Sequence, residues 1–156
     1  MSNFAVTLLQ QAHLSGAAEL EKLCFSDPWS EESLSILIRQ GGIGIAALAE
    51  NGAVIGYGGM LTVLDEGQIT NIAVHPDFRR QGVGRAVLCA LIAQAQKQDI
   101  SRLSLEVRAS NTSAQSLYLQ QGFETVGVRK RFYSHPTEDG LVMVRADRSD
   151  TEPNRT

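Results

Sequence analysis

Strand-like and helix-like stretches alternate along this chain, and that alternation predicts an α/β domain with a mixed central sheet and helices on both faces. Three observations carry the prediction. Apolar or alternating runs occur at 43–49, 53–63, 68–74 and 102–108. Around them lie longer stretches whose apolar residues recur three and four positions apart. A glycine-rich loop, Arg79-Arg80-Gln81-Gly82-Val83-Gly84-Arg85, joins one strand-like run directly to the longest helical stretch.

The elements follow in order. Ser15 is placed to cap a first helix with Ala17, Leu20, Leu23 and Cys24 on its apolar stripe. Pro28 ends that segment, and Ser30 followed by Glu31 and Glu32 opens a second helix with Leu34, Leu37 and Ile38 on one face. Gly41-Gly42 stop it. Strands at 43–49 and 53–63 flank Glu50-Asn51-Gly52, an Asn-Gly turn signal. The strand at 68–74 stops at His75-Pro76. The helix over 82–98 aligns Val83, Val87, Leu91 and Ala95, with Leu88 and Ile92 beside them. A strand at 102–108 precedes a helix capped near Asn111 or Thr112, and Gly122 suits its left-handed C-terminal position. Two closing strands, 123–133 and 140–145, are joined through Ser134-His135-Pro136. The element order is ααββ(β)αβαββ.

Length and composition bound the class. A chain of 156 residues, 43% apolar and 20% charged, reads as a single globular domain, expected to span 1–147, with a polar tail at 148–156 expected to be disordered. The net charge of −3, with basic residues grouped only at 79–85 and at Arg129-Lys130-Arg131, gives no footprint for nucleic acid. Met1-Ser2-Asn3-Phe4 lacks the basic start and apolar run of a secretion signal, and no stretch reaches the ~18 apolar residues of a membrane span. Cys24 and Cys89 lie in helical patterns and read as small buried hydrophobes, which makes a reducing cytoplasm the simplest home. His13, His75 and His135 lack ligand spacing, so no metal is expected. A monomer is expected.

The loop after the strand is the chemical landmark. Glycines at a helix mouth let backbone N–H groups approach an anion, and the helix N-terminus and arginines add positive charge. This is a phosphate cradle. A Walker loop is excluded because no Gly-Lys-Ser/Thr occurs in the chain. A dinucleotide fingerprint is excluded because the spacing is R-x-x-G-x-G and about 20 residues on the chain reads Leu103-Ser104-Leu105 rather than an acid.

Strand alternation puts Leu103, Leu105 and Val107 on one face and Ser104, Glu106 and Arg108 on the other. A carboxylate in mid-strand is out of character, since burying it unpaired is costly. Glu106 is therefore paired with Arg108 on its own face, on a sheet face open to water, or a partly desolvated general base. Tyr118 is a core aromatic or a proton donor, and Asn111 is a cap by position. Trp29 is a plug under the first two helices or a groove wall, and Tyr133 divides the same way. Asp27, Glu31 and Glu138 are candidates to attract a basic peptide.

The strand ending Val74-His75-Pro76 with the Arg79–Gly84 loop, the stretch Leu105–Asn111, the run Ser116-Leu117-Tyr118-Leu119-Gln120-Gln121-Gly122-Phe123 and the segment Cys24–Ser30 together resemble the Gcn5-related N-acetyltransferases (GNAT). Within that family they are similar to the bacterial RimI branch, which acetylates the N-terminal alanine of a small-subunit ribosomal protein. The likeness covers residues 4–146. It implies the GNAT acyl-CoA N-acyltransferase fold, in which the strand before the cradle and the strand carrying Glu106 are parallel but splay apart. It implies acetyl-CoA as cosubstrate, its pantetheine arm pairing with Ile72, Ala73 and Val74. Its phosphates would be held by Arg79, Arg80, Gln81, Gly82, Val83, Gly84 and Arg85, with Asn111 a further contact. Glu106 would remove a proton from the amine, acting directly or through water. Tyr118 would protonate the departing sulfur, and Trp29 and Tyr133 would line the substrate groove. The chain departs from the branch at Ser134-His135, where an aromatic pair is more common, which bears on the shape of that groove.

An α-amino group, near 7.7–8.0, is roughly a tenth neutral at pH 7, against about 0.04% for a lysine near 10.4. A single glutamate therefore suits an N-terminal amine more readily than a lysine. The alternatives are acetylation of a small amine such as an antibiotic or polyamine, acetylation of protein lysine, or a CoA-binding module without activity. The last has no need of both Glu106 and Tyr118.

Overall fold

The computed structural model describes residues 3–146, so the boundary expected at 147 and the tail at 148–156 lie outside the described residues. The strands are β1 (Phe4–Leu8), β2 (Ile43–Ala49), β3 (Val54–Val63), β4 (Glu66–Val74), β5 (Arg102–Arg108), β6 (Glu124–Tyr133) and β7 (Glu138–Ala146). The helices are α1 (Leu14–Cys24), α2 (Glu31–Arg39), α3 (Val83–Lys97) and α4 (Thr112–Gln120). One seven-stranded sheet has the order β1-β2-β3-β4-β5-β7-β6. Only β4 and β5 pair in parallel, and the other neighbours are antiparallel. The sheet is mixed, as expected.

Each face of the sheet carries its own core. On one side Val83, Val87, Leu88, Leu91 and Ala95 of α3 pack with Ile43, Ile45, Ile69, Leu103, Leu105 and Val107, and Tyr118 and Phe123 extend that core under α4. On the other side Leu14, Ala17, Ala18 and Leu20 of α1 and Leu34 of α2 pack on Ala46, Tyr57 and Ala73. Helix α3 lies unusually close to β3. A Cβ on Gly56 or Gly58 would stand 2.6 Å from a Val83 methyl or 2.7 Å from a Val87 methyl. Those two glycines bring the N-terminus of α3 down onto the sheet.

The local signals act as read at most ends. The Ser30 hydroxyl caps α2 by accepting from the Ser33 N–H at 3.1 Å, and Asn111 caps α4 by accepting from Ala114 N–H at 3.1 Å. Asn51 accepts from the Ala53 N–H at 2.9 Å to close the β2–β3 turn.

Four readings are corrected. Strand β1 was not expected, and it adds an edge by pairing with β2 from Phe4↔Ala49 to Leu8↔Ile45. Ser15 is not a cap: a short 3-10 turn at Gln11–His13 runs straight into α1, so Ser15 is already inside the helix. Leu23 is 55% exposed, and the buried stripe of α1 keeps Ala17 and Leu20 and adds Leu14, Ala18 and Glu21. Cys89 is exposed and Cys24 only half-buried, because both lie at the flanks of their helices.

The sheet forks at its centre. Parallel pairing of β4 with β5 covers Glu66↔Arg102, Gly67↔Leu103 and Gln68↔Ser104 and then ends. The register of β4 against β3 slips between Met60↔Ile69 and Gly59↔Asn71, which leaves Thr70 as the extra residue of a β-bulge. A bulge bends and twists its strand, and here it turns β4 away from β5. It also inverts facing parity. Ile69 points to the α3 side, whereas Ala73 points to the α1 side and Ile72 and Val74 to the α3 side.

Candidate active site

The fork opens a cleft of about 790 Å³, lined on one arm by residues 69–72 and on the other by residues 105–108. Its outer walls are the α1–α2 segment with Phe25, Asp27 and Trp29, and the β6–β7 turn with Tyr133, Ser134, His135 and Pro136.

Glu106 sits just beyond the last paired rung, with a side chain only 14% exposed. Its Oε1 accepts from Gln68 Nε2 at 3.3 Å, and its Oε2 lies 3.4 Å from Arg129 Nε. Alternation places it opposite Leu105 and Val107, as read from sequence. Arg108 is not its partner. That guanidinium turns to the β6–β7 turn, donating to the carbonyls of Ser134 at 3.1 Å and Pro136 at 3.0 Å, and it pairs with Glu138 at 3.2 Å. It also lies 4.5 Å over the Tyr133 ring. Glu138, read as a lure for basic peptides, is thus engaged inside the turn, and its other oxygen accepts from the Ser110 N–H at 2.6 Å. Hydrogen bonding from Ser110 and Arg108 holds its carboxyl below the usual range.

Tyr118 lies in the same cleft, its ring buried against Phe123 with centroids 5.8 Å apart. It is both core aromatic and cleft residue. Burial, with the neighbouring Tyr133 adding to it, pushes its phenol up to about 12. Its hydroxyl has no hydrogen-bond partner among the described residues.

The inner edge of β4 offers backbone to the gap. The His75 N–H donates to Ile55 of β3 at 2.8 Å, so alternation aims the N–H groups of Val74 and Ile72 the other way, toward the fork. Ala73 faces β3, paired with Tyr57. The Val74 carbonyl accepts from Arg79 Nε at 3.1 Å and from the Cys24 thiol at 3.5 Å.

The glycine-rich loop stands beside the cleft rather than in its lining. Arg80 and Gly82 both have left-handed backbone, φ 65° and 84°, and swing the chain into α3. The first intrahelical bond there is Ala86 N–H to the Gly82 carbonyl, so the N–H groups of Val83, Gly84 and Arg85 precede the ladder. A Cβ at Gly84 would meet nothing closer than a Val74 methyl at 3.5 Å. Packing therefore does not require glycine at 84. Arg79 folds back on Val74, Arg85 donates to Gln120 at 2.7 Å, and Gln81 reaches the Asp77 carbonyl at 3.4 Å. Asn111 reaches the cleft lining while capping α4.

Trp29 is half-buried, packed on the α1-side core and facing the cleft, so it is plug and wall together. Its backbone N–H donates to Glu21 Oε1 at 2.9 Å. Glu21 is fully buried and was missed from sequence, although it occupies a core position of the α1 stripe. Its Oε2 accepts from Asn71 Nδ2 at 2.7 Å and from the Tyr57 hydroxyl. Desolvation raises its carboxyl above the ordinary value, with those donors opposing. Gln68 and Arg129 were also missed, since only pairing register brings them to Glu106.

The model of the acetyltransferase (GNAT) family matches residues 14–123. The chain is 37% identical over 135 residues to the ribosomal protein bS18-alanine N-acetyltransferase of Escherichia coli (strain K12), covering 86% of this chain and 89% of that protein. It is 40% identical over 129 residues to the protein of the same name from Haemophilus ducreyi, covering 80% and 88%. The crystal structure of the Escherichia coli ribosomal-protein-S18-alanine N-acetyltransferase superposes with a TM-score of 0.84 at 33% identity, covering 92% of this chain and 94% of that one. The forked sheet, the glycine-rich loop at the mouth of α3 and these likenesses agree: the chain belongs to the acetyltransferase (GNAT) family.

Proposed function

We propose that this protein transfers the acetyl group of acetyl-CoA directly to the α-amino group of an N-terminal alanine, and that its substrate is ribosomal protein bS18. The observation that carries the chemistry is the placement of Glu106 and Tyr118 in one cleft at the fork of the sheet. The substrate assignment rests on the names of relatives that match over most of both chains.

Acetyl-CoA supplies the activated acetyl group as a thioester. The N–H groups of Val83, Gly84 and Arg85 hold its diphosphate at the positive end of α3, and Arg79, Arg80 and Gln81 surround it with donors. Asn111 adds a contact from the start of α4. Ile72–Val74 offer their free edge to the pantetheine arm as an added strand. The Val74 N–H then polarises the thioester carbonyl. Glu106, held by Gln68 and Arg129, takes the proton from the attacking amine, directly or through water. Tyr118 faces the departing sulfur. A phenol raised to about 12 keeps its proton at working pH, and a thiol ordinarily titrates near 8.5. Tyr118 thus serves as a hydrogen-bond donor that stabilises the thiolate. Trp29 and Tyr133 form opposite walls for the acceptor chain.

The test is acetylation of unmodified bS18, beside peptides starting with Ala, lysine peptides and polyamines, followed by mass spectrometry. One acetyl group on the bS18 N-terminus supports the proposal. Turnover of polyamines or lysine side chains with bS18 untouched would overturn it.

A further inference from the structure

The proton chemistry above leaves the buried carboxyl of Glu21 unused. Glu21 is fully buried, and its three donors, Tyr57, Asn71 and the Trp29 N–H, include no cation. Removing a carboxyl from water without a countercharge is expensive, and an apolar side chain would fill the α1–β3 contact at lower cost. What an apolar side chain cannot do is hold a backbone N–H in a loop and an amide on a strand at once.

Those two partners belong to the two halves of the site. Trp29 is in the acceptor wall, and Asn71 precedes Ile72–Val74 on the arm of the fork. The Thr70 bulge is what brings Asn71 to the α1 side, since unbroken alternation would put it with Ile69 on the α3 side. One turn along α1, Cys24 makes the parallel contact, its thiol on the Val74 carbonyl at 3.5 Å. Residues three apart on a helix share a face. Glu21 and Cys24 thus lay the end of α1 along β4, and the acceptor wall begins at Phe25 directly after.

We propose that Glu21 is a positioning residue that sets the acceptor wall at Trp29 against the β4 edge, and so fixes where the amine stands relative to the acetyl group. The inference rests on the amine-acceptor reading of the cleft. Glu21 touches no reacting atom and acts through Trp29 and Asn71.

Trp29 is the chain's single tryptophan, so its fluorescence reports this wall alone. Glu21→Gln and Tyr57→Phe are compared with the native protein in two measurements. In acrylamide quenching without substrate, Glu21→Gln is expected to raise the quenching slope about twofold or more, and Tyr57→Phe less. In steady-state kinetics with bS18, Glu21→Gln is expected to raise KM for bS18 about tenfold, with KM for acetyl-CoA within twofold of native. Unchanged Trp29 quenching overturns the proposal, as does a loss confined to kcat with both KM values unchanged. If Glu21→Gln does not fold, Tyr57→Phe carries the same comparison with smaller changes. If bS18 is not acetylated by the native protein, the proposed function fails, and quenching still decides the role of Glu21.

Discussion

Gln68 reaches across the crotch of the fork to Glu106, its amide 3.3 Å from Oε1. Gln68 belongs to the last paired rung, Gln68↔Ser104, and Glu106 is the next residue on the same face of β5. The bond therefore spans the point where the two strands part. With Arg129 on the other oxygen, the carboxylate is held in one orientation facing the cleft. Glu106→Gln keeps the shape and loses the base. Turnover should fall about 10²-fold or more while acetyl-CoA affinity stays within twofold, as measured by kinetics beside calorimetric titration. A variant that retains full turnover would remove Glu106 from the mechanism.

The three tyrosines share an alkaline signature. Burial raises the phenols of Tyr118 and Tyr133 to about 12 and that of Tyr57 further, above the ordinary value of 10.0. The unfolded chain therefore loses these protons first as pH rises. Stability from the neutral phenols is complete below pH 10.0 and falls as pH climbs toward about 12. Ultraviolet absorbance should detect little tyrosinate at pH 10.0 in the folded protein, with its rise coinciding with unfolding. In parallel, Tyr118→Phe should lower turnover about 10²-fold while leaving the melting temperature near native, since its hydroxyl has no protein partner among the described residues.

The two cradle glycines should behave differently. Gly82 has φ 84°, so Gly82→Ala strains the backbone and should lower stability by about 1 kcal/mol. Gly84 lies in the first turn of α3 with room for a methyl, so Gly84→Ala should fold at least as stably as native. On the proposed binding mode it should nonetheless bind acetyl-CoA about tenfold more weakly, because the methyl would stand where the phosphates are proposed to approach. Urea unfolding and calorimetric titration separate the two effects.

Arg108 organises the β6–β7 turn through two carbonyls, Glu138 and the Tyr133 ring. Arg108→Met should cost about 2 kcal/mol of stability through lost charge-assisted hydrogen bonds. It should also raise KM for bS18 while sparing acetyl-CoA binding. Urea unfolding and initial-rate kinetics check both.

Much of the architecture was legible because it is local. The cap at Asn111, the turn at Asn51-Gly52 and the alternation around Glu106 each depend on a few adjacent residues. The fork was implied only by family resemblance. Its cause, the bulge at Thr70, depends on the register of β4 against β3, which no single strand specifies. The contacts of Glu106 stayed open for the same reason: Arg108 is near in sequence and was one alternative, but Arg129 arrives through β6. Glu21 was the avoidable omission. It sits in line with Leu14, Ala17 and Ala18, and a carboxylate on an apolar stripe of a helix carries the same signal as Glu106 carries in a strand. Strand β1 escaped because five residues alternating around Phe4, Val6 and Leu8 make too short a pattern to separate from a loop.

A sheet that stops pairing at its middle leaves main-chain groups that any extended ligand can satisfy. Filling that slot would bind the folded form alone, and at a hundred times its dissociation constant such a ligand adds about 2.7 kcal/mol to the unfolding free energy. The melting point of this protein should therefore climb with the concentration of its coenzyme, which makes thermal shift a direct gauge of how tightly the slot is occupied.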